Sequence, residues 1–124
     1  MDRYILVVDD DPDIRDLLEQ TLTMEGFAVR TAAHGRDALT CMAQAPPAAI
    51  LLDLNMPVMD GWQLLQELRA RDVAVPVVFM SAGQPVRDEA AHYQVDGYLA
   101  KPFELDDVVR VVRHATSADT AGRD

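Results

Sequence analysis

Ile50-Leu51-Leu52-Asp53-Leu54-Asn55-Met56-Pro57-Val58-Met59-Asp60-Gly61 is the stretch on which the reading of this chain turns. A strand-like apolar run stops on a carboxylate, and a proline-containing loop follows. A charge at the end of a buried strand is costly unless something there uses it. Two other apolar runs end in the same way. Ile5-Leu6-Val7-Val8 runs into Asp9 and Asp10, and Tyr98-Leu99-Ala100 runs into Lys101 and Pro102. Three acids and one lysine at strand ends suggest a divalent-metal site that handles phosphate.

Outward from Asp53, apolar runs alternate with amphipathic stretches. Runs rich in β-branched residues fall near 4–9, 27–32, 48–53, 76–81 and 97–100. A helical pattern follows each. In the first, Ile14, Leu17, Leu18 and Leu22 recur at helical spacing. Asp11 suits the N-cap, Pro12 the first helical position and Gly26 the stop. The second helix, about 35–44, carries Ala38, Leu39 and Met42 and ends before Pro46-Pro47. The third begins at Asp60, which with Gln63 resembles a capping box, and Leu64, Leu65 and Leu68 give it an apolar face. The last, about 104–115, has Leu105, Val108, Val109 and Val112. Strands alternating with helices predict a parallel sheet covered on both faces, joined by right-handed crossovers. Ligands of such sheets bind at the carboxyl ends of strands. Asp9, Asp10, Asp53, Ser81 and Lys101 all occupy such ends, so five residues far apart in sequence can converge on one cleft.

Composition narrows the possibilities. A chain of 124 residues accommodates one domain with one core. Its net charge of −10 repels nucleic acid and argues against direct DNA binding. No apolar stretch approaches the roughly 20 residues that span a bilayer. Met1-Asp2-Arg3 leading into an apolar run broken by acids is a poor signal peptide, so a cytoplasmic location is expected. The single cysteine, Cys41, cannot form an internal disulfide and reads as a small packing residue. Within the acid run, Asp11 and Asp13 fit a helix start, whereas Asp9 and Asp10 continue a strand. His34 precedes Gly35 at a loop-to-helix junction, His92 and His114 have no acidic or cysteine partner at ligand spacing, and all three read as incidental. The methionines and Trp62 read as packing or surface residues.

Four stretches, in order and each at a strand end, carry a family signature: Val7-Val8-Asp9-Asp10-Asp11, Leu52-Asp53-Leu54-Asn55-Met56-Pro57-Val58-Met59-Asp60-Gly61, Met80-Ser81-Ala82 and Tyr98-Leu99-Ala100-Lys101-Pro102-Phe103. Together they resemble the receiver domain of bacterial two-component response regulators, from near the start of the chain to its last helix. The resemblance implies an α/β fold, a flavodoxin-like doubly wound five-stranded parallel sheet in the order 2-1-3-4-5 with five helices. Residues 1–115 would form the receiver domain, and 116–124, which lose periodicity, a flexible tail or truncated linker.

The resemblance also implies roles. Asp53 is the phosphoacceptor, attacking phosphorus to form an aspartyl phosphate. The donor is a phosphohistidine on a sensor histidine kinase or histidine phosphotransfer protein. Mg²⁺ is held by Asp10 and Asp53, by the backbone carbonyl of Asn55, and through water by Asp9. Lys101, the only lysine in the chain, pairs with Asp53 before reaction and with a phosphoryl oxygen afterwards. Ser81 and the Ala82 N–H donate to the phosphoryl group. Tyr98 is the switch aromatic, rotating inward when Ser81 moves and reshaping the surface of helix 4, strand 5 and helix 5. Pro102 follows a cis peptide bond in the family. The chain is then a phosphoacceptor switch that catalyses its own phosphorylation and dephosphorylation, rather than an enzyme acting on a separate substrate. Its output passes to a downstream protein target or a missing output domain, without direct contact to nucleic acid or membrane.

Two other functions fit less well. A haloacid-dehalogenase-like phosphatase needs an acid two residues after its nucleophile, where this chain has Asn55, and a longer chain. A pseudo-receiver that binds without phosphorylation would not need the intact set Asp9, Asp10, Asp53, Ser81 and Lys101. One region departs from the family. The span from Ser81 to Lys101 is short, Gln84 is a poor N-cap, and Gln94-Val95 stand where relatives have Gly-Ala. Helix 4 is therefore expected to be short, displaced or mobile. Gly83, two residues after Ser81, leaves the lifetime of the phosphate unread.

Overall fold

Each branched apolar run becomes a strand, and all five strands run parallel in one sheet. The computed structural model describes residues 3–54, 61–71, 75–81, 86–92 and 95–121, with the backbone alone described at 61, 62, 86, 87, 89 and 117–121. The strands are β1 (Tyr4–Val8), β2 (Ala28–Ala32), β3 (Ala49–Asp53), β4 (Val77–Ser81) and β5 (Gly97–Ala100). Their order across the sheet is β2-β1-β3-β4-β5. The three inner strands are buried along their whole length, whereas β2 and β5 at the edges alternate between exposed and buried. Burial on both faces demands continuous apolar sequence, which is why β1, β3 and β4 are the plainest runs in the chain.

The helices are α1 (Pro12–Met24), α2 (Gly35–Gln44), α3 (Gly61–Ala70), α4 (Val86–His92) and α5 (Leu105–Ala121). The two-residue period of the strands divides the core in two. Leu6, Val8, Ile50, Leu52 and Phe79 face Ala38 of α2, Leu64, Leu65 and Leu68 of α3 and Ala90 of α4. Ile5, Val7, Leu51, Val78, Met80 and Leu99 face Leu18 and Leu22 of α1 and Val108, Val112 and Ala115 of α5. No described helix is long and apolar enough to cross a membrane.

The punctuation of α1 follows the sequence closely. The Asp11 carboxylate accepts from the Asp13 N–H at 2.9 Å, and Pro12 occupies the first turn. At the other end Gly26 has φ +93°. Its N–H bonds to the Thr23 carbonyl at 3.0 Å, and the Phe27 N–H bonds to the Leu22 carbonyl at 3.1 Å. This is a Schellman stop, and the residue after Met24 and Glu25 has to be glycine for it to form without a Cβ penalty.

Several expectations need correction. Leu17 and Leu105, counted with the apolar faces of α1 and α5, are exposed. Leu17 lies beside the stripe set by Leu18 and Leu22. Leu105 begins its helix, before the turns that reach the sheet, where Val108, Val112 and Ala115 supply the contact. Residues 116–121 continue α5, so the helix outlasts its apolar pattern. The Thr116 hydroxyl donates to the Val112 carbonyl at 2.9 Å, a bond that a helical backbone accommodates. The described part of α4 covers Val86–His92 and is flanked on both sides by residues outside the described set. The Val95 N–H donates to the Ala90 carbonyl at 3.1 Å and closes its C-terminal end without glycine. Asp60, Gly83 and Gln84 lie outside the described residues.

Asp96 was not singled out by pattern, yet it sets the start of β5. Its N–H donates to the Val77 carbonyl at 2.8 Å. Its carboxylate accepts from the Val77 N–H at 2.8 Å. This two-way clasp pins β5 to β4 where the ladder begins. At Gly97 a Cβ would stand 3.1 Å from Val111 Cγ1 of α5, so glycine lets the helix approach the edge strand.

Candidate functional site

Strand register assembles the site. Val8 lies opposite Leu52, which sets Asp9 beside Asp53. Asp53 lies opposite Met80, and Ser81 opposite Ala100, which brings Lys101 to the same edge. Three backbone bonds hold the strand ends together. The Asp9 N–H donates to the Ala32 carbonyl at 3.1 Å, the Leu54 N–H to the Met80 carbonyl at 3.0 Å, and the Lys101 N–H to the Ser81 carbonyl at 2.9 Å. The Lys101–Pro102 peptide bond is cis.

One carboxylate oxygen from each of Asp9, Asp10 and Asp53 lies within 4.8 Å of the others. Asp9 is fully buried, Asp53 is 4% exposed, and Asp10 is open to solvent. Hard carboxylate oxygens at this separation, two buried and one open, are a donor set that fits Mg²⁺, which keeps several waters. The ammonium nearby pairs with Asp53, as expected, and more closely with Asp9. Lys101 Nζ donates to Asp9 Oδ2 at 2.7 Å, while Asp53 Oδ1 is 3.6 Å away. Asp9, fully desolvated, has the stronger need of a cation, and its other oxygen already accepts from the Asp11 N–H at 2.9 Å. Burial of Lys101 by itself lowers its pKa. The hydrogen bond and charge of Asp9, with the charge of Asp53, outweigh that and hold the ammonium above the ordinary lysine value.

The other face of the sheet carries the remaining described candidates. Val77 and Phe79 pack toward α2–α4, so Ser81, at the same parity, points there as well. Tyr98 lies opposite Phe79 in the ladder. It stands 41% exposed on the edge strand. Ser81 itself is buried. Asn55 and Ala82 fall outside the described residues.

Two residues of this region escaped the pattern. Arg15 Nη1 donates to the Asp9 carbonyl at 2.8 Å, so a second cation stands beside the acids. A surface-facing arginine in an amphipathic helix carries no signal of this in sequence. His34, read as incidental, is the N-cap of α2, with Nδ1 accepting from the Asp37 N–H at 3.3 Å. The Asp37 carboxylate, 3.4 Å from Nε2, faces the ring's other nitrogen. Its position between β2 and Gly35 was the available clue, but histidine is not a favoured capping residue.

Fold and site together define the receiver class. The model of the response regulator receiver domain matches residues 5–113, and the chain belongs to that family of two-component signalling modules. Among characterised proteins it is 45% identical over 111 residues to the transcriptional regulatory protein PrrA of Mycobacterium tuberculosis, an alignment that covers 88% of this chain and 48% of PrrA. The chain thus spans about half the length of that relative. Among solved structures, the receiver domain of NtrX from Brucella abortus is 32% identical with a TM-score of 0.84, over 91% of this chain and 98% of that one. Chemotaxis protein CheY4 of Vibrio cholerae is 28% identical with a TM-score of 0.83, over 93% of this chain and 99% of that one.

Proposed function

We propose that this chain works as a phosphorylatable switch in which Asp53 takes a phosphoryl group from a phosphohistidine. One observation carries the assignment. The Asp53 carboxylate is 4% exposed at the end of β3, with two other carboxylates close by and an ammonium 3.6 Å away. As the donor's P–N bond breaks, a P–O bond to Asp53 forms, and negative charge spreads over the phosphoryl oxygens. The protein's part is positioning and charge compensation. Asp10, Asp53 and the Asn55 carbonyl would hold Mg²⁺, with Asp9 joined through water; the ion neutralises phosphoryl charge. Lys101 is already within reach of both acids, so a small movement of its flexible stem takes Nζ from Asp9 to a phosphoryl oxygen. The Ser81 hydroxyl and the Ala82 N–H donate to the remaining oxygens. The same groups serve self-catalysed transfer and later hydrolysis.

The donor is a sensor histidine kinase or a histidine phosphotransfer protein. Ser81 and Tyr98 share one face of the sheet, which supports a switch in which Ser81 moves to the phosphoryl group and Tyr98 turns inward. The altered surface of α4, β5 and α5 then reports to a downstream protein or an attached output domain. PrrA is a transcriptional regulatory protein of about twice this length, and the net charge of −10 argues that DNA contact belongs to another domain.

Incubation with Mg²⁺ and acetyl phosphate tests this by intact mass. A single phosphoryl adduct is expected, lost in Asp53→Asn and in EDTA. An adduct that survives Asp53→Asn overturns the acceptor. No adduct from this or any phosphohistidine donor would favour a receiver that binds partners without phosphorylation.

A further inference from the structure

Asp9 is held at every polar position. Its N–H donates to the Ala32 carbonyl at 3.1 Å. Oδ1 accepts from the Asp11 N–H at 2.9 Å, and Oδ2 accepts from Lys101 at 2.7 Å. The fourth position is the carbonyl, which accepts from Arg15 Nη1 at 2.8 Å. In a parallel ladder a residue's N–H and C=O face the same neighbour. The Asp9 carbonyl therefore points past the end of β2, where the ladder has stopped. The half-buried guanidinium, reaching back from the first turns of α1, supplies the rung that β2 does not.

That carbonyl belongs to the peptide unit joining Asp9 to Asp10. Among the described residues nothing donates to the Asp10 carboxylate, which is exposed. The backbone beneath it sets where that side chain starts and which rotamers reach Asp53, and Arg15 holds that backbone from the helix side. We propose that Arg15 is a positioning residue for the metal site, fixing the Asp9–Asp10 peptide so that the Asp10 carboxylate faces Asp53. The inference rests on reading the acid cluster as the Mg²⁺ site.

Two simpler roles make different predictions. If Arg15 is only a nearby positive charge, it repels a divalent cation, and its removal tightens metal binding. If it is only a cap for a buried carbonyl, its removal lowers stability and leaves the metal affinity of the folded protein unchanged. A positioning residue alone requires weaker binding on removal.

Direct calorimetric titration of the whole chain with Mg²⁺, alongside thermal melts, separates these outcomes. Arg15→Met keeps the apolar stem and loses the donors, and is expected to weaken Mg²⁺ about tenfold, the low end for groups that orient a metal ligand. Arg15→Lys restores one donor and the charge, and should recover most of the affinity. Unchanged or tighter binding by Arg15→Met overturns the proposal, as does an Arg15→Lys protein no better than Arg15→Met. Should Arg15→Met fail to fold, Arg15→Lys and Arg15→Gln decide by the same comparison: Lys must bind more tightly than Gln. Failure of the underlying reading looks different. Then the parent protein takes up no Mg²⁺, or Asp10→Asn binds it as well as the parent does.

Discussion

The two faces of the sheet's carboxyl edge are built to different standards. On the face covered by α1 and α5, Asp9, Asp53 and Lys101 form a buried, bonded cluster in which each polar group of Asp9 has a partner. On the face toward α2–α4, Ser81 is buried, but Tyr98 stands half in solvent on an edge strand beside α4. Under the proposed function the contrast would separate chemistry from readout. Phosphoryl transfer needs charges held in place before the donor arrives. A switch needs two arrangements of similar energy, and Tyr98, with little to lose by moving, would supply them.

The comparison breaks first at Lys101. Lys101→Ala leaves the buried Asp9 carboxylate without its cation and should cost about 3 kcal/mol, read from urea unfolding. A loss near zero would show that the tie is not structural. Next come two neighbours on β5. Leu99, buried in the α1–α5 core, should cost about 3 kcal/mol on truncation to Ala. Tyr98→Ala should cost about 1 kcal/mol or less, as a half-exposed edge residue. Equal costs would erase the distinction between the two faces.

A smaller effect is expected at Asp10. Its carboxylate lies near two others and is exposed. Without Mg²⁺, Asp10→Ala relieves repulsion and should raise the melting temperature by about 2 °C. With millimolar Mg²⁺ the order should reverse, because only the parent gains stability from the ion.

The subtlest test is the titration of Lys101. As the sole lysine, it gives a single ¹³Cε signal. Its folded pKa lies above the ordinary value because Asp9 and Asp53 outweigh its burial. The ion pair therefore contributes its full stability below about pH 10.4 and loses it as pH rises through the folded value. Asp9→Asn should shift the titration to lower pH. An unshifted signal would mean that Asp53, not Asp9, holds the ammonium.

Much of this was legible in sequence. The five strands fall within a residue of the apolar runs, and Asp11, Pro12 and Gly26 mark the ends of α1. Asp9, Asp10, Asp53, Ser81 and Lys101 stand at strand ends, and the described structure brings them to one edge. Leu17 and Leu105 misled because helical spacing marks a stripe without showing where the neighbouring layer stops. Residues 116–121 misled because a helix can outlast its apolar pattern.

The sequence by itself determined the elements, their order and which polar residues stand at the strand ends. Strands buried on both faces must be continuously apolar, and a charge that interrupts one must have a use there. Only the tertiary structure decided the pairings. Lys101 lies closer to Asp9 than to Asp53, Arg15 reaches the Asp9 carbonyl, and Asp96 clasps Val77. These pairings turn on small differences in distance between groups on different elements. Strand register and helix placement set such distances, and local composition carries no record of them.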